Sequence, residues 1–318
     1  MTLTELRYVV AVAKERHFGR AAESCFVSQP TLSVAIKKLE DELGVTLFER
    51  GGSEVGVTSI GAQIVEQAKR VLEQSLAIKE IAKSGKDPLN EPLRLGIIYT
   101  IGPYLLPQLV KRLIADAPQM ALILQENYTA KLIEQLKHSE IDAAILALPL
   151  PEAGLMIQPL YDEEFIVAIP REHAWKTRDR VTSADLKDET MLLLGAGHCF
   201  RDQVLEVCPE LEPLPVASWA HDTGIRRTFE GSSLETIRHM VASGIGVTVL
   251  PRTSVPVPLP ADSLLRYLPF EDPVPGRRVV LAWRKSFPRR AAIDVVRAAV
   301  RACHLEGMTK LDLASFSI

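Results

Sequence analysis

Apolar positions recur at helical spacing through the first 43 residues. Leu3, Leu6, Val9, Val10 and Val12/Ala13 predict a helix that runs out around His17-Phe18-Gly19, and the alanine-rich stretch from Arg20 to about Cys25 predicts a second. Ser28, Gln29 and Pro30 supply a cap and a first-turn proline for a third helix. Its stripe Leu32, Ile36, Leu39 and Leu43 is spaced by four, three and four, and Gly44 stops it. Two helices joined by a short turn, the second of them longer, form a helix-turn-helix. Residues 47–61, LFERGGSEVGVTSIG, alternate around a Gly-Gly turn and predict a small hairpin or wing.

From Ser59 to about Ala82 there is no Pro and no Gly after Gly61, so one long helix is expected. Val57, Ile60, Ile64, Gln67, Val71, Gln74, Ile78 and Ile81 follow the alternating three-four spacing of a heptad seam, which reads as a dimer helix or, by pattern alone, as an amphipathic helix on a globular body. SGKDPLNEP, residues 84–92, is a hinge. Beyond it LRLGIIYT, ALILQEN and DAAILAL alternate with helical segments around LLPQLVKRLIADA and AKLIEQLKHSE, a βαβαβ pattern that predicts a parallel sheet. EEFIVAIP, MLLLG, GVTVLP and RRVVLAWR add strands, and RRAAIDVVRAAVRACH adds a last helix. Ser232 and Glu235 have capping-box spacing and open a further helix ending at Gly244. The fold class is α/β: a winged helix-turn-helix over 1–58, a linker helix over 59–83, the hinge, and a regulatory domain over 93–306. The domain is too long for one lobe, so we expect lobe I over 93–163 plus 268–306, lobe II over 164–267, and a cleft between them.

Composition adds exclusions. With 318 residues, 47% hydrophobic, 24% charged and a net charge of −3, the chain is neither disordered nor a cationic coat protein. The opening MTLTELR lacks a basic region before an apolar core, and no stretch of about 18 uncharged apolar residues occurs, so a cytoplasmic protein without a membrane span is expected. Charge is sorted locally: residues 14–38 hold Lys14, Arg16, Arg20, Lys37 and Lys38 against Glu15 and Glu23, a net +3. Off the stripe of the third helix lie Ser28, Gln29, Pro30, Thr31, Ser33, Lys37 and Lys38. Short polar groups at its start suit base edges in a major groove, and lysines further along suit phosphates.

The run FGRAAESCFVSQPTLSVAIKKLEDELGVTLFER, followed by Thr58-Ser59-Ile60-Gly61, resembles the winged helix-turn-helix of LysR-type transcriptional regulators, and the order of everything downstream agrees. The resemblance implies promoter DNA and RNA polymerase as partners, a dimer through the long helix that commonly becomes a tetramer, and a two-lobed regulatory domain like a periplasmic binding protein. It places Ser28, Gln29, Pro30, Thr31 and Ser33 in the groove and Arg50 in the wing near the minor groove or backbone.

The cysteines at 25, 199, 208 and 303 are too few and scattered for a disulfide scaffold. Cys199 sits beside His198 and near Arg201, where a strand passes into a helix; positive partners and amide dipoles there would favour the thiolate, the form that attacks peroxide. Cys208 is then the resolving thiol. If the intervening residues are helical, nine steps separate the two Cα atoms by roughly 13 Å along the axis, whereas a disulfide tolerates at most about 7 Å. Oxidation would have to melt that helix. Taken blind, such a pair is more often two inert buried thiols; a metal pair lacks a second matching pair, and neither a metal nor a cofactor is expected.

GHCFRDQ followed by Cys208, together with YTIGPYLLP (99–107) and SSLETIRHMVASGIGVTVLP (232–251), is similar to the peroxide-sensing OxyR branch of that family. The similarity implies that hydrogen peroxide is the signal, that antioxidant genes respond, and that a cellular thiol system resets the switch. It assigns Thr100 and Thr129 as the hydroxyls that hold peroxide, with His198 beside them and Asp202 in the same site. Arg278 matches an arginine near the sensing thiol, with its neighbour Arg277 as the alternative. Departures are the long proline-rich stretch over 251–269 and a short loop from Pro209 to Pro213. Cys25 and Cys303 read as packing residues. Two other functions compete: a regulator that takes a small organic effector in the cleft, and a thiol peroxidase. A fused DNA-binding domain has no use in turnover, so an enzyme is not expected.

Overall fold

The computed structural model describes residues 1–49, 55–84, 89–150, 154–208 and 229–311. The chain divides into two units, Met1–Lys86 and Asp87–Ile318. Among the described residues no helix is long and apolar enough to cross a membrane.

In the first unit each helix is started by a side chain that satisfies its free amides. α1 (Leu3–Glu15) opens on a capping box: Thr2 Oγ1 accepts from the Glu5 amide and the Glu5 carboxylate accepts from the Thr2 amide. α2 (Phe18–Ser24), two residues earlier than expected, is capped by His17 Nδ1, which accepts from Gly19 and Arg20. α3 (Gln29–Leu43) is capped by Ser28 and ended by Gly44 at φ +68°, as its spacing predicts. Val9, Val12, Leu32, Ile36 and Leu39 pack with Ala21, Ala22, Leu47 and Phe48, and Leu6 is also buried. The outermost members of the expected stripes, Leu3 and Leu43, are instead 42% and 38% exposed, because they lie at helix ends beyond that core.

β1 (Phe48–Glu49) and β2 (Gly56–Val57) form the antiparallel wing hairpin. Its tip, with Arg50, falls outside the described residues. α4 (Ser59–Ser84) then starts on a tight step: Thr58 Oγ1 donates to Thr46 O at 2.8 Å and accepts from the Gly61 amide at 2.9 Å. A Cβ on Gly61 would stand 2.3 Å from the backbone oxygen of Leu47. Gly61→Ala should therefore destabilise this unit by about 1–3 kcal/mol, read as a lowered urea midpoint. α4 packs Gly61, Val65 and Ala68 inward and leaves Ile60 and Ile78, two positions of the heptad seam, 41% and 68% exposed.

In the second unit β3 (Leu93–Ile98), α5 (Gly102–Asp116), β4 (Leu122–Asn127), α6 (Thr129–Lys137) and β5 (Ala143–Ala147) make the expected parallel core, with β3 between β5 and β4. The next strand is longer than EEFIVAIP predicts: β6 runs from Leu155 to Pro170. Pro159 and the polar run Asp162-Glu163-Glu164 hid its first half. That half pairs antiparallel with β11 (Gly276–Arg284), and the register slips beside Pro159, which has no amide to donate. Its second half, Phe165–Pro170, pairs with β9 (Thr248–Pro251) and β10 (Leu265–Pro269). One strand thus passes from lobe I into lobe II, each lobe with its own apolar core.

Lobe II also holds β7 (Leu192–Leu194), α7 (Cys199–Val207), β8 (Phe229–Gly231), which pairs with β7, and α8 (Leu234–Ala242). The cap of α8 is Ser233, whose Oγ accepts from Thr236, and not Ser232. β10 and Phe270 still pack in lobe II, so the chain returns to lobe I between Phe270 and Gly276, past the expected 267/268 division. α9 (Arg290–Ala302) covers lobe I, and β12 (Met308–Lys310), beyond the expected end at 306, pairs with β6. The hinge over 84–92 and the Pro209–Pro213 loop lie partly or wholly outside the described residues.

Candidate functional site

On α3 the side chains of Ser28, Gln29, Pro30, Thr31, Lys37 and Lys38 are exposed and Ser33 is half-buried. Ser28 is partly committed to the helix itself, since its hydroxyl caps α3 and lies 2.8 Å from that of Thr31. Two apolar groups on the same unit escaped the sequence reading. Phe26, in the turn before α3, is 96% exposed at φ +57°, and Val34 is 69% exposed.

The cysteine pair is built by α7. Gly197 at φ +96° turns the chain and His198 is extended, so the helix begins at Cys199, whose sulfur lies at the end where amides are free. Cys199 is half-buried and packs against the lobe I core, although α7 belongs to lobe II. Cys208, the C-cap of the same helix, is fully buried in the lobe II core. Nine residues at about 100° each put the two side chains on opposite faces, roughly 13 Å apart along the axis. No disulfide joins the two.

His198 is 5% exposed and held between two rings that the sequence did not single out. Tyr128 meets it edge-on at 4.7 Å between centroids, and Tyr99 lies 6.0 Å away. Burial lowers the pKa of His198, against the opposing effect of a backbone hydrogen bond with Ser232. The imidazole is therefore neutral at pH 7 and is not the positive partner that the sequence suggested for Cys199. Arg201 donates to the carbonyl of Leu194 at 3.1 Å, tying the first turn of α7 to β7. Asp202 is exposed in that turn, where a carboxylate complements the helix N-terminus, and no hydrogen bond or ion pair joins it to the other candidates among the described residues.

Thr100 and Thr129 follow β3 and β4, at the carboxyl ends of neighbouring parallel strands. Thr129 Oγ1 is buried and has no hydrogen-bond partner, a costly state for a hydroxyl unless a ligand or water meets it. Gln203 lies one turn after Cys199 on the same face; its Nε2 donates to Leu148 O at 2.7 Å, and its Oε1 is likewise buried without a partner. The four-residue spacing from Cys199 was the signal for it.

The arginine at the site is Arg277, not Arg278. Successive residues of a strand face opposite sides, so Arg278 points outward and pairs with Asp162 at 2.7 and 2.8 Å, a contact that raises its pKa. Arg277 is buried. Its Nη1 donates to Thr100 Oγ1 at 2.8 Å, its Nη2 to Thr100 O at 3.1 Å and its Nε to Glu163 Oε1 at 2.5 Å. Its guanidinium lies 5.0 Å from the ring centre of Phe200, the residue after Cys199. Cys303 is buried in lobe I with its pKa raised by burial, and Cys25 packs on the core of the first unit.

Residues 3–62 match the family model of bacterial regulatory helix-turn-helix proteins of the lysR family, and residues 86–303 match the LysR substrate binding domain. The hydrogen peroxide-inducible genes activator of Pectobacterium carotovorum subsp. carotovorum is 42% identical over 307 residues, 96% of this chain and 98% of that protein. A full-length cysteine-to-aspartate mutant of OxyR from Pseudomonas aeruginosa is 52% identical and superposes with a TM-score of 0.67, covering 96% of this chain and 99% of that one. A mutant of Corynebacterium glutamicum OxyR with hydrogen peroxide bound is 33% identical, covers 94% of this chain and 91% of that one, and has a TM-score of 0.60. Helix-turn-helix and two-lobed domain together place the chain in the LysR family of bacterial regulatory proteins, in its OxyR branch.

Proposed function

We propose that the chain is a DNA-binding transcription regulator switched by hydrogen peroxide through Cys199 and Cys208. The Cys199 thiolate attacks one peroxide oxygen; the O–O bond breaks, leaving a sulfenic acid on sulfur and expelling hydroxide, which is protonated to water. The Cys208 thiol then attacks that sulfur and expels a second water, so two thiols and one peroxide become one disulfide and two waters. The observation that carries this reading is the placement of the two sulfurs at opposite ends and on opposite faces of α7, in different cores. A bond between them requires α7 to unwind, which turns a chemical event into a conformational one. The unpartnered hydroxyl of Thr129 supports a small polar ligand nearby.

The LysR family is one of transcription regulators, not of enzymes, and in this reading the cysteine chemistry is a signal, not turnover. A cellular thiol system reduces the disulfide, RNA polymerase is the partner at the promoter, and antioxidant genes are the targets. α4, which leaves Ile60 and Ile78 exposed, carries a dimer, extended to a tetramer through the regulatory domains, in the cytoplasm. The test is to add low peroxide to the purified protein, follow Cys199 and Cys208 by mass spectrometry and footprint promoter DNA. A Cys199–Cys208 disulfide with an altered footprint is expected. A disulfide with an unchanged footprint would favour a small organic effector in the cleft, and no disulfide would sink the reading.

For the groove assignment, Gln29→Ala should weaken promoter binding by about 1–3 kcal/mol and relax base preference. Lys37→Gln and Lys38→Gln should each reduce the slope of log affinity against log salt by about one. Titrations at several salt concentrations check both.

A further inference from the structure

Two deeply buried charges of the second unit lie where β6 crosses between the lobes. The Arg277 and Glu163 side chains are 1% and 0% exposed, and the fork of Arg277 holds Thr100 by both its hydroxyl and its carbonyl oxygen. The second carboxylate oxygen of Glu163 accepts from the hydroxyl of Thr253, in the segment after β9. Thr100 belongs to lobe I and Thr253 follows a lobe II strand, so Glu163 ties the two lobes together through Arg277. The same guanidinium stacks on Phe200 and so fixes the first turn of α7.

Arginine has only donors. When Nη1 donates to Thr100 Oγ1, it occupies a lone pair of that hydroxyl and directs the Thr100 hydrogen away from the guanidinium. Unless Glu163 anchors Nε, the fork can rotate about its contact with Phe200, and the direction of that hydrogen is lost. We infer that Glu163 is a positioning residue for the peroxide reaction: through Arg277 it orients Thr100 as a hydrogen-bond donor to the oxygen that departs as hydroxide. The inference rests on the sensing function proposed above, with Thr100 taken as one of the hydroxyls that hold the peroxide. It concerns the leaving oxygen alone, because the nucleophile is Cys199 in every case.

That distinction supplies the test. Peroxide leaves as an oxyanion that needs a donor, whereas iodoacetamide reacts with the same thiolate and expels iodide, which needs none. In full-length Glu163→Gln, of nearly unchanged volume, Cys199 should react with peroxide on the order of 100-fold more slowly, with iodoacetamide at the wild-type rate. In a Thr100→Val background, Glu163→Gln should add little further loss. An unchanged peroxide rate in Glu163→Gln, or equal changes toward both reagents, overturns the inference and leaves the sensing function standing. If wild-type Cys199 itself reacts with peroxide no faster than Cys303, the sensing function fails and the inference with it. Should Glu163→Gln not fold, Thr253→Val decides: a smaller fall in the peroxide-to-iodoacetamide ratio supports the positioning role, and an unchanged ratio overturns it.

Discussion

In Cys199→Ser, peroxide should leave the promoter footprint as it is in the untreated protein, while the reduced-form affinity for DNA is retained. Serine replaces the thiol at the first position of α7 with little change of volume, so the helix, the Arg277 stack on Phe200 and the clamp on His198 stay in place. The attacking thiolate is gone, and with it every later step: no sulfenic acid forms, Cys208 stays reduced in the lobe II core, and α7 has no reason to unwind. The response should be lost entirely. Footprints before and after peroxide, with mass spectrometry of Cys208, check it. A footprint change that persists in this variant would place sensing elsewhere in the chain.

Phe200→Ala should shift the redox equilibrium of the Cys199–Cys208 pair. Phe200 is 2% exposed, meets Phe165 edge-on at 5.1 Å and lies under the Arg277 guanidinium. Truncating a buried phenylalanine costs about 3–5 kcal/mol. That cost falls on the reduced form, in which α7 is folded and the ring is packed; the disulfide form, with α7 unwound, has already given up the packing. Reduction of the disulfide must then recover less, and 3–5 kcal/mol corresponds to roughly 60–110 mV for a two-electron couple. The potential of Phe200→Ala should be more negative than wild type by up to that amount, so the variant stays oxidised in glutathione mixtures that reduce the wild-type protein. Equilibration in such mixtures with quantification of the disulfide measures it. A lowered melting temperature with an unchanged potential would mean that the ring keeps its packing after oxidation.

Local features were legible in the sequence, and features made by long-range pairing were not. Ser28, Pro30 and Gly44 mark the ends of α3 because caps are written in neighbouring residues, and Leu32, Ile36 and Leu39 are buried as their spacing predicts. The first half of β6 went unseen because Pro159 and three acidic residues break its pattern, while its partner β11 lies more than a hundred residues away. Arg277 and Arg278 are neighbours of one type, and only the facing of β11 tells them apart. Tyr99 and Tyr128 meet His198 across three separate loops, and nothing in their own sequence context announces it. The cysteine pair stands out through the resemblance of GHCFRDQ and Cys208 to a known family branch, whereas the two cores that hold its sulfurs apart are a property of the folded lobes.

In the proposed switch, oxidation and unwinding of α7 are one event. Hydrogen exchange of the backbone amides from Gln203 to Cys208, followed as one equivalent of peroxide is consumed, tests it directly. In the reduced protein these amides are protected by the helix, as in the bond from Cys208 N to Val204 O at 3.0 Å. We expect protection to vanish with the same time course as the Cys199–Cys208 disulfide appears, and to return on reduction. A complete disulfide with these amides still protected would mean that α7 stays wound on oxidation and that the proposed switch does not operate.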